Sequence, residues 1–112
     1  MHNQGDIVLV PLPFSDLASM KRRPVLVLSR SEYNHSADDL IVAAITSNLD
    51  AKPYTVRFTN DNMADGTLKL DSYIRADKIY TLSQNLVVKR FGKVKKEIIE
   101  AVKVKVLNVM DG

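Results

Sequence analysis

The stretch Lys21-Arg22-Arg23-Pro24-Val25-Leu26-Val27-Leu28-Ser29 decides the reading of this 112-residue chain. Val25 to Ser29 is a short, β-branched, apolar run, which favours strand over helix. Ahead of it stand three cations and a proline. Pro24 fixes its own φ and biases Arg23 toward extended backbone, so Arg23 is expected at the mouth of a strand. A guanidinium held there suits a phosphate or a carboxylate. A solvated charge cluster closing a loop is the plainer reading of the same residues.

Working outward, Ile7-Val8-Leu9-Val10 is a nearly continuous apolar run within Gly5 to Leu12, which implies a strand buried on both faces. Pro11-Leu12-Pro13-Phe14 should end it, because proline donates no ladder hydrogen bond. Ser15 to Arg22 is then the loop that returns the chain antiparallel. Ser31 to Asp39 is polar and turn-like. Leu40 to Ile45 is a third apolar strand, closed by Thr46-Ser47-Asn48. Tyr54 to Thr59 alternates, with Tyr54, Val56 and Phe58 on one face. Asn60 to Gly66 reads as a turn, Leu68 to Leu70 and Leu86 to Val88 as brief strands. Ser72 to Leu82 is a longer strand with Tyr73, Arg75, Asp77 and Ile79 on one face. From Val94 the period changes: Val94, Ile98, Ile99, Val102, Val106 and Leu107 recur at helical spacing, with Lys95, Lys96, Glu100 and Lys103 opposite. The valines weaken intrinsic helicity, so packing must hold this helix. The expected fold is a single domain over 1–112, mainly β with a C-terminal α-helix: a small antiparallel barrel rather than a βαβ fold.

An apolar fraction of 46% beside a charged fraction of 26% argues for a packed globule and against disorder. The absence of cysteine removes disulfides, thiolate metal sites and cysteine nucleophiles together, and makes a cytoplasmic location the simple reading. Met1 to Asp6 lacks the plan of a signal peptide, and no apolar run is long enough to span a bilayer. The net charge of +3 permits a nucleic-acid partner without demanding one. Its distribution is more telling. Lys21, Arg22, Arg23 and Arg30 crowd one segment and Lys89, Arg90, Lys93, Lys95 and Lys96 another, while acids gather elsewhere.

Phosphate loops, dinucleotide fingerprints and zinc-protease motifs are absent, and His2 and His35 lack ligand spacing, so neither a metal nor a cofactor is expected. What remains is polar residues at strand ends: Arg23, Thr46 with Ser47, and Arg75 with Asp77. Such a set is suited to metal-free chemistry on a phosphodiester. Arginines would hold the equatorial oxygens of a phosphorane, and a base such as Asp77 would take a 2′-hydroxyl proton. Taken singly, Arg75 and Asp77 also read as a structural ion pair, and Thr46-Ser47 as ordinary turn chemistry.

The ordered set resembles the MazF/PemK (Kid) toxins of type II toxin–antitoxin systems. Gly5-Asp6-Ile7-Val8-Leu9-Val10, Arg23-Pro24-Val25-Leu26-Val27-Leu28 and Ala44-Ile45-Thr46-Ser47 are similar to that family's three N-terminal blocks. Ser72-Tyr73-Ile74-Arg75-Ala76-Asp77 is similar to its fourth. The resemblance covers nearly the whole chain. It implies an SH3-like barrel and a homodimer, and a metal-independent endoribonuclease that cuts single-stranded RNA to 2′,3′-cyclic phosphate and 5′-hydroxyl ends. It also implies a cognate antitoxin that lays an acidic segment across the RNA groove. Carried over by position, Arg23 and Thr46 are catalytic, and Arg75 and Asp77 match the acid and base proposed for the PemK/Kid branch. Ser15, Lys21, Arg22 and Ser47 would contact substrate. The loop Ser15 to Arg22 lacks the histidine some members carry there, which leaves the base open. A barrel that binds RNA or protein without cutting, or a toxin acting on a protein such as gyrase, is the alternative from another class.

Overall fold

The computed structural model describes residues 2–13, 20–48 and 53–111. Seven strands run β1 (Asp6–Pro13), β2 (Met20–Val27), β3 (Asp39–Thr46), β4 (Thr55–Phe58), β5 (Met63–Gly66), β6 (Ser72–Ser83) and β7 (Lys89–Val94). Two helices, α1 (Ser31–Ala37) and α2 (Lys96–Met110), accompany them. The strands form one antiparallel sheet in the order β4-β6-β3-β2-β1-β7-β5, which curls into a half-barrel. The expected mainly-β fold with a C-terminal helix is what forms. None of its helices is long and apolar enough to cross a membrane among the described residues.

Both faces of the central strands are apolar, as the unbroken Ile7 to Val10 run requires. Ile7, Leu26, Ala43, Ile45 and Ile74 face one core with Val56 and Phe58 of β4 and Ile98, Ile99 and Val102 of α2. Val8, Val10 and Leu12 face the other with Val25, Val27, Leu40 and Val42. Burying those three α2 residues stabilises the fold by about 5–8 kcal/mol, which is what a valine-rich helix of weak propensity needs.

Several local readings change. The ladder does not stop at Pro11. Val88 N–H donates to the Leu9 carbonyl at 2.8 Å, so Leu9, and by alternation Pro11 and Pro13, direct their main-chain nitrogens toward β7. The pairing with β7 ends at Leu9↔Lys89, so the missing proline N–H groups break nothing, while pairing with β2 runs on to Pro13↔Met20. Correspondingly β2 begins at Met20, and Lys21, Arg22 and Arg23 are strand residues rather than loop residues. Ser31 to Ala37 is a helix, not a turn. It is held by the buried Asn34, whose side-chain amide donates to the carbonyls of His2 (2.9 Å) and Ser29 (3.1 Å) and accepts from the Ser29 hydroxyl. No strand forms at Leu68 to Leu70 or at Leu86 to Val88, where a 3₁₀ turn over Gln84–Leu86 leads toward β7, and the turn expected over Asn60 to Gly66 is a 3₁₀ turn at Asn60–Asn62 followed by strand β5.

Candidate active site

The site is built from strand register. Directly paired residues share a sheet face, and so do residues two apart on one strand. Val10, in the second core, pairs with Arg23, and Leu12 pairs with Lys21. Val25 pairs with Ala44, which pairs on its other side with Arg75, which pairs in turn with Thr55. Two residues further out, Thr46 pairs with Tyr73, and Tyr73 with Arg57. Lys21, Arg23, Thr46, Tyr73, Arg75, Thr55 and Arg57 therefore share the face whose inner part is the second core. Apolar residues fill that face where it is covered, and polar and cationic ones take over where it opens to solvent.

Pro24 shapes the opening. Leu28 N–H donates to Ile41 of β3, so the even-numbered residues of β2 address β3, and Pro24 stands where the next donor is needed. The β2–β3 ladder ends at Val25↔Ala44. Arg23 and Thr46, which the same register would set opposite each other, flank the place where the two strands stop pairing. Arg23 is exposed and Thr46 half-buried; the Thr46 hydroxyl accepts the Asn48 N–H at 3.1 Å, which fixes the turn out of β3.

Arg75 and Asp77 lie at an irregularity of β6. The register jumps from Ala43↔Ile79 to Ala44↔Arg75, so residues 76–78 bulge out of the ladder with β3. Ala76 N–H instead donates to the Tyr54 carbonyl at 2.9 Å, and Tyr54 has a φ of +63°, an uncommon conformation for an aromatic residue. Across the bulge Arg75 grips Asp77 with two hydrogen bonds, Nε to Oδ1 at 3.1 Å and Nη2 to Oδ2 at 2.8 Å. Partial burial pushes the Asp77 carboxyl up, but the hydrogen bond and charge of Arg75 outweigh it and hold Asp77 below the usual carboxylate range.

The remaining site candidates divide. Lys21 joins the face. Arg22, one residue out of step, falls on the opposite side of the sheet, and Ser47 is exposed just past the end of β3. Ser15 lies outside the described residues. Arg57, Tyr73 and Thr55 join a site for which sequence reasoning had not proposed them. The alternation Tyr54 to Thr59 correctly set Val56 and Phe58 inward, and so implied Thr55 and Arg57 outward; only the pairing with β6 shows that outward means beside Arg75.

The second basic segment goes elsewhere. Arg90 is tied to Asp65 at 2.7 Å and to the buried Asp6 at 3.2 Å. Lys93 and Lys96 line a separate cleft with Arg30, Lys103, Glu32 and Glu100, mixed in sign and floored by Val94 and Ile99 of the α2 core. Among the described residues no group of three or more His, Asp or Glu is placed to hold a metal ion.

A sheet opening with an arginine before proline, a strand-end threonine and an Arg–Asp pair is the arrangement the family resemblance implies. A family model described as PemK-like, MazF-like toxin of type II toxin–antitoxin system matches residues 3–110. The chain belongs to that toxin family. Solved structures agree on the fold. An endoribonuclease in complex with its cognate antitoxin, from a mycobacterial species, superposes with a TM-score of 0.79 at 17% identity, covering 98% of this chain and 95% of that one. The Mycobacterium tuberculosis toxin MazF-mt6 gives 0.75 at 23% identity, over 95% and 96%. A MazE–MazF complex from Deinococcus radiodurans gives 0.78 at 19% identity, over 97% and 95%. A search of curated protein sequences finds no significant match. At such identities the toxin fold persists while most side chains differ, so the roles of individual residues rest on the geometry above.

Proposed function

We propose that this toxin is a metal-independent endoribonuclease that cuts single-stranded RNA by attack of a 2′-hydroxyl on the adjacent phosphate. The observation that supports it is the register: Arg23, Thr46 and Arg75, from three strands, share one open sheet face, and Asp77 is bonded to Arg75 there. Asp77 takes the 2′-hydroxyl proton, the 2′-oxygen bonds to phosphorus, and the bond from phosphorus to the 5′-oxygen breaks. The products are a 2′,3′-cyclic phosphate and a 5′-hydroxyl. Arg23 and Arg75 hold the phosphorane oxygens as their charge grows. A guanidinium keeps its proton in a protein, so Arg75 hydrogen-bonds the reacting phosphate while water protonates the leaving 5′-oxygen. Thr46 orients the phosphate, and Lys21, with Ser47 and Ser15, contacts flanking nucleotides.

Partners follow from the same face. We propose a homodimer in the cytoplasm, neutralised by a cognate antitoxin whose acidic segment occupies the cations that RNA would otherwise meet; both associations then weaken with salt. The test is incubation of purified protein with a long single-stranded RNA in EDTA, with mapping of the ends. Discrete cuts bearing cyclic phosphate and 5′-hydroxyl ends, abolished in a folded Arg23→Ala variant, are expected. Full activity of folded Arg23→Ala would overturn the assigned mechanism. No cleavage by folded, antitoxin-free protein would favour a barrel that binds without cutting.

A further inference from the structure

Two of the cations on the open face, Arg75 and Arg57, are already held by carboxylates. Asp77 takes Arg75 with two hydrogen bonds, and Asp71 takes Arg57 through its Nη2. The two pairs differ in setting. The side chains of Arg75 and Asp77 are 23% and 29% exposed, whereas those of Arg57 and Asp71 are 58% and 46% exposed. Asp71 stands just before β6 begins, outside the strand ladder, so its side chain can leave Arg57 without breaking a rung. Arg57 shares a face with Tyr73, its partner in register, and lies two strands from Thr46, about 10 Å away.

We propose that the Arg57–Asp71 pair is a latch on the RNA site, in which Asp71 holds the place of a substrate phosphate and is displaced when RNA binds. This rests on the single-stranded RNA reading above. The phosphate that replaces Asp71 on Arg57 belongs to a nucleotide beside the scissile one, since Thr46 and Tyr73 intervene. The base of that nucleotide meets Tyr73, whose ring is a stacking platform of the kind single-stranded RNA favours. The chemical logic is competition between two anions for one guanidinium: Asp71 meets it through Nη2 alone, and a phosphate can take the whole fork with two prongs. An exposed ion pair is weak and screened by salt, which lets it set a threshold for RNA without blocking it.

The test measures binding of a fluorescent, random-sequence RNA with 2′-O-methyl riboses, which cannot be cut by 2′-hydroxyl attack. Asp71→Asn should tighten binding about two- to fivefold, the range an exposed pair allows. Arg57→Ala should weaken it about tenfold and lower the slope of log affinity against log salt by about 0.7, the loss of one phosphate contact. Asp61→Asn, which removes an equal charge from an exposed residue elsewhere on the surface, controls for net charge. In the Arg57→Ala background Asp71→Asn should gain no more than Asp61→Asn does. The latch is overturned if Asp71→Asn binds no tighter than Asp61→Asn, or if its gain persists without Arg57. Wild-type protein that binds no RNA would overturn the RNA reading itself and the latch with it, an outcome visible before any variant is made.

Discussion

Arg75→Ala separates the two readings of the Arg75–Asp77 pair, because they predict effects of different size in different assays. The pair is joined by two hydrogen bonds of 2.8 and 3.1 Å, and its side chains are 23% and 29% exposed. As a piece of structure it is close to a surface ion pair, worth about 0.2–1 kcal/mol, with no buried charge stranded when one partner goes. Truncating Arg75 should therefore lower the melting temperature by about 5 °C at most. As catalytic machinery it is worth far more. Removing a preorganised donor from a developing oxyanion costs about 10²–10³ in rate, or 2.7–4 kcal/mol. The expected result is a variant that melts nearly as wild type and cleaves at least about a hundredfold more slowly. The acid side of the pH–rate profile gives a second reading. Arg75 keeps Asp77 ionised to a lower pH than an ordinary carboxylate. Without Arg75 the burial of Asp77 is opposed only by a backbone hydrogen bond and the charge of Lys78, so residual activity should fade at a higher pH than in wild type. Cleavage of RNA in EDTA, beside thermal melts, measures all of this. Wild-type rates in Arg75→Ala, or loss of rate only in step with loss of fold, would refute the catalytic assignment.

Three further outcomes concern the frame that holds the site. Asn34→Ala leaves the carbonyls of Ser29 and His2 without the amide and the buried Ser29 hydroxyl with only the Ile41 N–H, and should cost about 2–4 kcal/mol in chemical denaturation; a cost below about 1 kcal/mol would show that α1 does not depend on it. Gly92→Ala would drive a Cβ to within 2.3 Å of the Asp65 carbonyl oxygen and 3.1 Å of the Gly66 Cα, both main-chain. It should cost about 1–3 kcal/mol or more and weaken amide-exchange protection at β5 first. Burial holds His2 below its ordinary pKa. The unfolded chain then binds the extra proton, so stability is full above the usual histidine range and declines as pH falls through it toward the folded value. His2→Gln should flatten that decline, and superimposable stability–pH curves for the two proteins would rule the effect out.

How much was legible followed from period. The unbroken apolar runs at Ile7 and Leu40, the alternation at Tyr54 to Thr59 and the shift to helical spacing after Val94 each name a burial pattern that only one element satisfies. Lys21 to Arg23 misled because three adjacent cations look solvated. In β2 they are, yet the alternation simply points Lys21 and Arg23 to one face and Arg22 to the other. The α1 helix was hidden because its stability comes from Asn34 reaching His2 and Ser29, contacts that composition does not encode. The candidate site was half legible. Arg23, Thr46, Arg75 and Asp77 are residue types suited to phosphodiester chemistry, but their convergence depends on register, which the loops and the β6 bulge set. Arg57 and Tyr73 were invisible as site residues for the same reason: nothing within Tyr54 to Thr59 says which strand lies beside it.

The prolines of β1 have a consequence beyond local pairing. Past Leu9 the side of this strand turned toward β7 has no strand partner among the described residues. Such a border is where one chain can recruit another into a continuous sheet and precipitate. Pro11 and Pro13 place no N–H along it, so a second molecule finds acceptors but no matching donors. Replacing both prolines with valine should leave the fold intact, since β2 pairing uses the other side of the strand, yet make the protein clump more readily as its concentration rises. A guard against sheet-to-sheet association in this toxin is thus written into the same prolines that carry β1 out to the open face.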